Sequence, residues 1–159
     1  MTTRPEIKTI QNLEAAFAGE SMAHIKYRYF AKIAREQGDE ATAKAFEETA
    51  DQEVMHAFGH LDLLYPKSTL TPAKCLEMAI AGETYEYTEM YPKFRETAVS
   101  EGNAAAVSEI DEQIEESKEH AAFFQATLEK AAKRFAALAK VEERHANAYQ
   151  VQLDKVNAR

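Results

Sequence analysis

Cysteine, tryptophan, glycine and proline are all scarce in this 159-residue chain, which holds one Cys, no Trp, five Gly and four Pro. The lone Cys75 excludes a disulfide within one chain, and no Cys-x-x-Cys pair is present to build a tetrathiolate iron or zinc centre. A single free thiol fits a reducing compartment. Basic residues are also short, 19 Lys and Arg against 27 Asp and Glu, for a net charge of −8. That balance argues against a nucleic-acid surface. No apolar run reaches the roughly 18 residues expected of a membrane span, and the N-terminus lacks a signal-peptide pattern. These absences lead us to expect a cytoplasmic protein without membrane or nucleic-acid partners, organised as one domain over residues 1–159.

The few glycines and prolines fall where helices should break. A first helix is expected from about Glu6 to Glu36 with Pro5 at its start, then a turn at Gln37-Gly38-Asp39, then a second helix from about Glu40 to Tyr65. Pro66 to Thr71 forms a connector that ends in a Thr71-Pro72 helix start. The third helix runs to about Ser100, with Pro92 bending it or interrupting one of its hydrogen bonds. Glu101-Gly102-Asn103 is the next turn. From Ala104 to Arg159 there is neither Gly nor Pro, which fits one very long helix or two joined by a turn without those residues. An internal repeat is also visible. Ala15-Ala16-Phe17-Ala18-Gly19-Glu20 resembles Met78-Ala79-Ile80-Ala81-Gly82-Glu83, and Phe46–His56 has later counterparts in Ile110–His120 and Phe135–His145. Two helical hairpins of one ancestry would build a pseudo-symmetric four-helix bundle, with one copy left over.

What is present in place of cysteines is a set of carboxylates and imidazoles at helical spacing. Glu53-Val54-Met55-His56 and Glu142-Glu143-Arg144-His145 both read Glu-x-x-His, and residues three apart share a helix face. Two such pairs, with one Glu from each of two further helices, can hold two metal ions in a bundle core. Glu20 and Glu83 are the single glutamates, each following Ala-Gly. Glu20 interrupts the apolar stripe Leu13, Phe17, Tyr27, and burying such a carboxylate is costly without a partner or a metal. Glu20 and Glu53 are 33 residues apart with their midpoint on the predicted turn, so antiparallel pairing puts them at one height. Glu83 and Glu86 again share a face, in a stretch rich in acidic and phenolic groups. Tyr27 and Tyr91 are candidates for hydrogen bonds to ligating carboxylates and for proton transfer. The bland reading of each element is a solvated acidic face or an ordinary packing tyrosine. His24 and His60 read as surface or packing histidines, and Cys75 as a small apolar residue.

The segments Ala18-Gly19-Glu20-Ser21, Glu53-x-x-His56-Ala57 and Ala81-Gly82-Glu83-Thr84-Tyr85-Glu86-Tyr87-Thr88-Glu89-Met90-Tyr91-Pro92 resemble the rubrerythrin family, in its erythrin form without a rubredoxin domain. Ala139–Asn147, around Glu142 and His145, is similar to that family's fourth helix. The resemblance implies an all-α, ferritin-like four-helix bundle with a long C-terminal helix. It also implies two iron ions per site, with manganese or zinc as alternatives. The implied ligands are Glu20, Glu53, His56, Glu83, Glu86, Glu142 and His145, with Glu86 exchanging with His56 as the irons change oxidation state. The implied activity is reduction of hydrogen peroxide to water, supplied with electrons by a separate rubredoxin or flavoprotein.

The chain departs from the family pattern. About 25 extra residues separate the third-helix motif from Glu142, and the usual spacing would place the last pair at Ser117 and His120, which keeps the His and loses the Glu. Glu116 is adjacent but points about 100° away on a helix. Because 25 residues is close to seven turns, His120 and His145 share a face of a continuous helix. The connector, at about 20 Å fully extended, is shorter than a bundle. Two arrangements follow: a domain-swapped homodimer completed by Glu142 and His145, or a compact chain using Glu116 and His120. Two other functions remain open at this point, a ferroxidase-type di-iron protein using dioxygen and a metal-free helical interaction protein.

Overall fold

The computed structural model describes residues 8–158, and the expected helix start at Pro5 and Glu6 lies outside them. Every regular element among the described residues is helical: α1 (Thr9–Glu36), α2 (Glu40–Leu64), a 3-10 turn (Lys67–Thr69), α3 (Pro72–Tyr85), a π-helical segment (Glu86–Met90), α4 (Tyr91–Ser100) and α5 (Ala104–Asn157). The chain divides into two compact units, residues up to Leu70 and residues from Thr71 onward.

In the first unit α1 and α2 form an antiparallel hairpin. Gly38 closes α1 with φ +83°, a left-handed value that favours glycine. The Gly38 N–H donates to the Arg35 carbonyl and the Asp39 N–H reaches back to the Ala34 carbonyl, the pattern of a Schellman cap. Asp39 then caps α2 by accepting the Thr42 N–H. The two helices meet on small residues. Ala43, Ala50 and Ala57 recur every seven positions and are buried, with Ala31 of α1 buried as well. Alanines at this spacing let the helix backbones approach closely, so register at the contact is tightly defined.

The second unit repeats the plan. Gly102, φ +69°, ends α4, the Asn103 N–H reaches back to the Ala98 carbonyl, and Asn103 caps α5 by accepting the Ala106 N–H. The matching turn chemistry supports the internal repeat read from the sequence. Ala98, Ser117 and Ala121 are the buried small residues of this hairpin. The long stretch without Gly or Pro forms one helix, Ala104–Asn157, of 54 residues, about 80 Å long.

Pro92 does more than bend its helix. Without an N–H, and with a ring that crowds the carbonyl four residues earlier, it cannot sit in a regular α ladder. The chain accommodates it with a π turn, in which the Tyr91 N–H donates to the Glu86 carbonyl five residues back. One extra residue per turn re-aims the side chains on either side, and such insertions often mark functional positions. Here the π segment begins at Glu86.

Candidate metal centre

Glu20 of α1 and Glu53 and His56 of α2 converge. One donor atom from each lies within 4.8 Å of the others, as the turn arithmetic required. His56 Nδ1 is 3.0 Å from Glu53 Oε2. The Glu53 side chain retains 16% of its surface while that of His56 retains 59%, so the carboxylate is seated in the hairpin and the imidazole stands at its rim. One turn away, His24 Nδ1 lies 2.7 Å from the Ala50 carbonyl. A carbonyl only accepts, so the ring donates Nδ1–H and pins α1 to α2 beside the cluster.

The electrostatics separate this cluster from the rest of its hairpin. Arg28 holds Asp51 at 2.5 Å, and Arg35 holds both Glu40 and Glu47 at 2.9 Å. Among the described residues no Lys or Arg ion-pairs with Glu20, Glu53, Glu83 or Glu86. Half-buried carboxylates set beside an imidazole and away from cationic side chains are costly as bare anions. Their oxygen and imidazole nitrogen donors suit iron, manganese or zinc, so the residues present fit a bound cation.

In the second unit Glu83 and Glu86 face α5. His120 Nδ1 lies 3.5 Å from Glu83 Oε1, and the buried Ser117 hydroxyl donates to Glu86 Oε2 at 3.1 Å. Glu116, one position along, is exposed. The Tyr91 ring packs edge-on against Phe94, and its phenol is held above the ordinary tyrosine range, first by desolvation and then by the negative charges of Glu86, Glu83 and Glu116. Tyr27 lies in an aromatic group with Phe46 and Phe30.

Glu142 and His145 stand elsewhere on α5. His145 Nδ1 is 3.7 Å from Glu142 Oε2, and both side chains are exposed. Within the second unit the imidazole at Glu83 is thus that of His120, and the residue beside Glu86 is Ser117. Sequence reasoning missed two contacts, the His24 link to α2 and the Ser117 hydroxyl on Glu86. For Ser117 a signal existed, since a polar residue replaces Glu in an otherwise matching copy.

Paired carboxylates and imidazoles carried on antiparallel helical hairpins, with no strand among the described residues, define the ferritin-like class of metal-carboxylate proteins. The chain belongs to the rubrerythrin family, whose model, described as Rubrerythrin, matches residues 11–128. It is 41% identical over 111 residues to nigerythrin of Nitratidesulfovibrio vulgaris (strain Hildenborough), covering 62% of this chain and 55% of that protein. It is 41% identical over 106 residues to rubrerythrin of Porphyromonas gingivalis, covering 60% and 53%. Rubrerythrin-1 of Clostridium acetobutylicum is 34% identical over 138 residues, covering 76% and 70%. Among solved structures, fully reduced, all-ferrous nigerythrin is 35% identical, with 82% of this chain and 71% of that chain covered and a TM-score of 0.40. The chain thus spans a little over half the length of the first two relatives. The family match includes Ser117 and His120 and stops before Glu142 and His145. No described helix is long and apolar enough to cross a membrane.

Proposed function

We propose that this chain is a non-haem di-iron redox protein that reduces hydrogen peroxide to water with electrons from an external donor, and so protects against oxidative stress. The observation that carries this reading is the convergence of Glu20, Glu53 and His56 in a hairpin whose Asp51, Glu40 and Glu47 are instead held by arginines. The two hairpins, read as one ferritin-like domain, supply Glu20, Glu53, His56, Glu83 and Glu86, with His120 beside Glu83 and Glu142 and His145 as the second Glu-x-x-His pair. Manganese or zinc suits the same donors. Bound iron would supply the two electrons that each peroxide consumes.

The chain's own residues do the rest. The carboxylates would balance the charge of bound cations, and the imidazoles would add neutral nitrogen donors. The Tyr91 phenol, kept protonated by desolvation and by Glu86 and Glu83, can donate a proton from its Oη toward a departing oxygen and be refilled from solvent. Tyr27 is a second phenol for the same role. Electrons come from a rubredoxin or a flavoprotein, because the single Cys75 provides no rubredoxin thiolate set within these residues. The test is stopped-flow reoxidation of the anaerobically reduced, iron-loaded protein. Peroxide should outpace dioxygen by more than about tenfold, or 1.36 kcal/mol of barrier. Equal or faster reaction with dioxygen would move the assignment to a ferroxidase-type activity.

A further inference from the structure

The cations of this chain are unevenly paired. From Lys26 to Lys118, every Lys and Arg except Lys26 and Lys44 holds a carboxylate. On the distal part of α5 the pattern reverses. Lys130, Lys133, Arg134, Lys140, Arg144 and Lys155 are all exposed, and among the described residues none of them ion-pairs with a carboxylate. At about 100° per residue, all six fall within an arc of about 120° on the helix. They make a stripe about 37 Å long, close to seven turns. Glu129, Glu142, Glu143 and Asp154 lie outside the arc. An ordinary solvated face intersperses both signs, as where Lys118 pairs with Glu115 earlier on the same helix. A one-sign field along an exposed surface is what steers a charged partner.

The surroundings of the stripe select the kind of partner. Residues 71–129 of the same unit carry four Lys and Arg against thirteen Asp and Glu. An extended polyanion would run on over that acidic part and be repelled by it, whereas a small acidic protein touches the stripe alone. Between the cations, on the same arc, lie Ala137, Val141, Ala148 and Val151. Ala137, Ala148 and Val151 are exposed and Val141 is half-buried. An apolar floor rimmed by polar groups is the anatomy of a protein–protein interface, while a phosphate backbone would use the cations alone. The stripe also lies close to redox chemistry. His145 follows Arg144 directly, at the edge of the arc. A partner seated on Lys140 and Arg144 is therefore within one helix diameter, about 10 Å, of the His145 imidazole.

We propose that the stripe from Lys130 to Lys155 is the docking surface for a small acidic one-electron carrier protein, which brings its redox centre up to His145. Two encounters supply two electrons. With two protons from solvent, they balance the reduction of one hydrogen peroxide to two waters. The electron-delivery part of this inference rests on the peroxide-reducing reading above, in which Glu142 and His145 are the second metal-binding pair; the docking of an acidic protein does not.

The test uses an acidic rubredoxin as the probe and two full-length variants. The stripe variant combines Lys133→Gln, Lys140→Gln and Arg144→Gln; the control combines Lys26→Gln and Lys44→Gln, the unpaired cations of the first unit. Titration of metal-free protein with oxidised rubredoxin at low ionic strength reads docking by itself. Binding should weaken by at least about tenfold in the stripe variant and stay within about twofold of the parent in the control. Added salt should erase most of that difference, because exposed charges are screened. In iron-loaded protein, electron transfer from reduced rubredoxin should slow by at least about tenfold in the stripe variant. Photoreduced deazaflavin, which is small and needs no docking surface, should reduce parent and variant at equal rates. Failure of rubredoxin to bind the parent, or equal binding by the stripe variant, overturns the proposal. So does tighter binding of a short DNA duplex or of phosphatidylglycerol vesicles than of rubredoxin. Stripe-dependent binding with an unchanged electron-transfer rate overturns the electron entry at His145. Rubredoxin that binds through the stripe to a chain unable to retain iron would sink the peroxide-reducing reading and leave the docking surface standing.

Discussion

Replacing Ala50 by Leu tests how the fold serves the site. Ala50 is fully buried at the α1–α2 contact, between the equally buried Ala43 and the nearly buried Ala57. Its carbonyl accepts from His24, and it lies one turn before Glu53. Helix axes meeting on alanines sit near the close end of the usual 8–10 Å range, and three added carbons have no cavity to enter. The helices must separate by roughly 1 Å or the leucine must leave its rotamer, at a cost of about 2–3 kcal/mol, the upper part of the range for overpacked sites. Ala45→Leu, on the exposed side of α2, should stay within about 0.5 kcal/mol of the parent. Urea unfolding of chelator-treated protein measures both. The separation also spreads donors that now share a 4.8 Å sphere, while metal–oxygen and metal–nitrogen bonds near 2.0–2.2 Å tolerate little of it. Cobalt affinity should fall at least about tenfold, or 1.4 kcal/mol. An Ala50→Leu protein as stable as the parent, with unchanged affinity, would refute the argument that the alanine contact sets the site's geometry.

Removing the Ser117 hydroxyl deletes a hydrogen bond to a carboxylate, but Glu86 is only half-buried and alanine is the better helix former. Ser117→Ala should therefore cost only about 0.5–1 kcal/mol in urea melts. Acid should weaken the metal-free fold. Asp39 is held low by the Thr42 hydroxyl, Glu40 and Glu47 by Arg35, Glu89 by Lys93, and Asp111 by Arg95. Stability from depressed carboxyls is complete above their unfolded values near pH 4 and is lost as pH falls through the lower folded values. Melts between pH 6 and 2 should show this decline, and Arg35→Gln should shrink it. At the alkaline end, Tyr91 should ionise after the ordinary phenols, since its folded value is raised. The stabilisation of its neutral form is full below about pH 10 and is lost as pH rises through the folded value. Ultraviolet titration with Tyr91→Phe as the reference should remove the last-titrating phenol.

Much of the architecture was legible because helix punctuation is local chemistry. Gly38 and Gly102 fall at left-handed positions, Asp39, Thr71 and Asn103 are the capping residues, and the missing Gly and Pro after residue 104 correspond to one helix. The level of Glu20 with Glu53 followed from counting to a turn. What stayed hidden depends on three-dimensional contact. Pro92 foretold a disturbance, but whether a bend or a π turn absorbs it depends on the packing of α3 and α4 against α5. His24 read only as a surface or packing histidine because a bond to a carbonyl 26 residues away leaves no trace in local spacing. The choice between the Ser117–His120 and Glu142–His145 levels was blurred by the helix itself, since 25 residues return to nearly the same face. The structure sets His120 beside Glu83 and leaves Glu142 and His145 exposed.

The central claim is that these half-buried carboxylates, which have no Lys or Arg partner among the described residues, exist to hold cations, and metal content tests it most directly. The full chain is loaded anaerobically with ferrous iron, freed of loose metal by a chelating resin, and analysed by mass spectrometry. Retention of about two irons per chain, as expected of a di-iron carboxylate protein, with loss of both in Glu20→Ala combined with Glu53→Ala, is the predicted result. Less than about half an equivalent in the parent, or full retention in the double variant, would contradict the claim, since ligand removal must abolish binding at a true site.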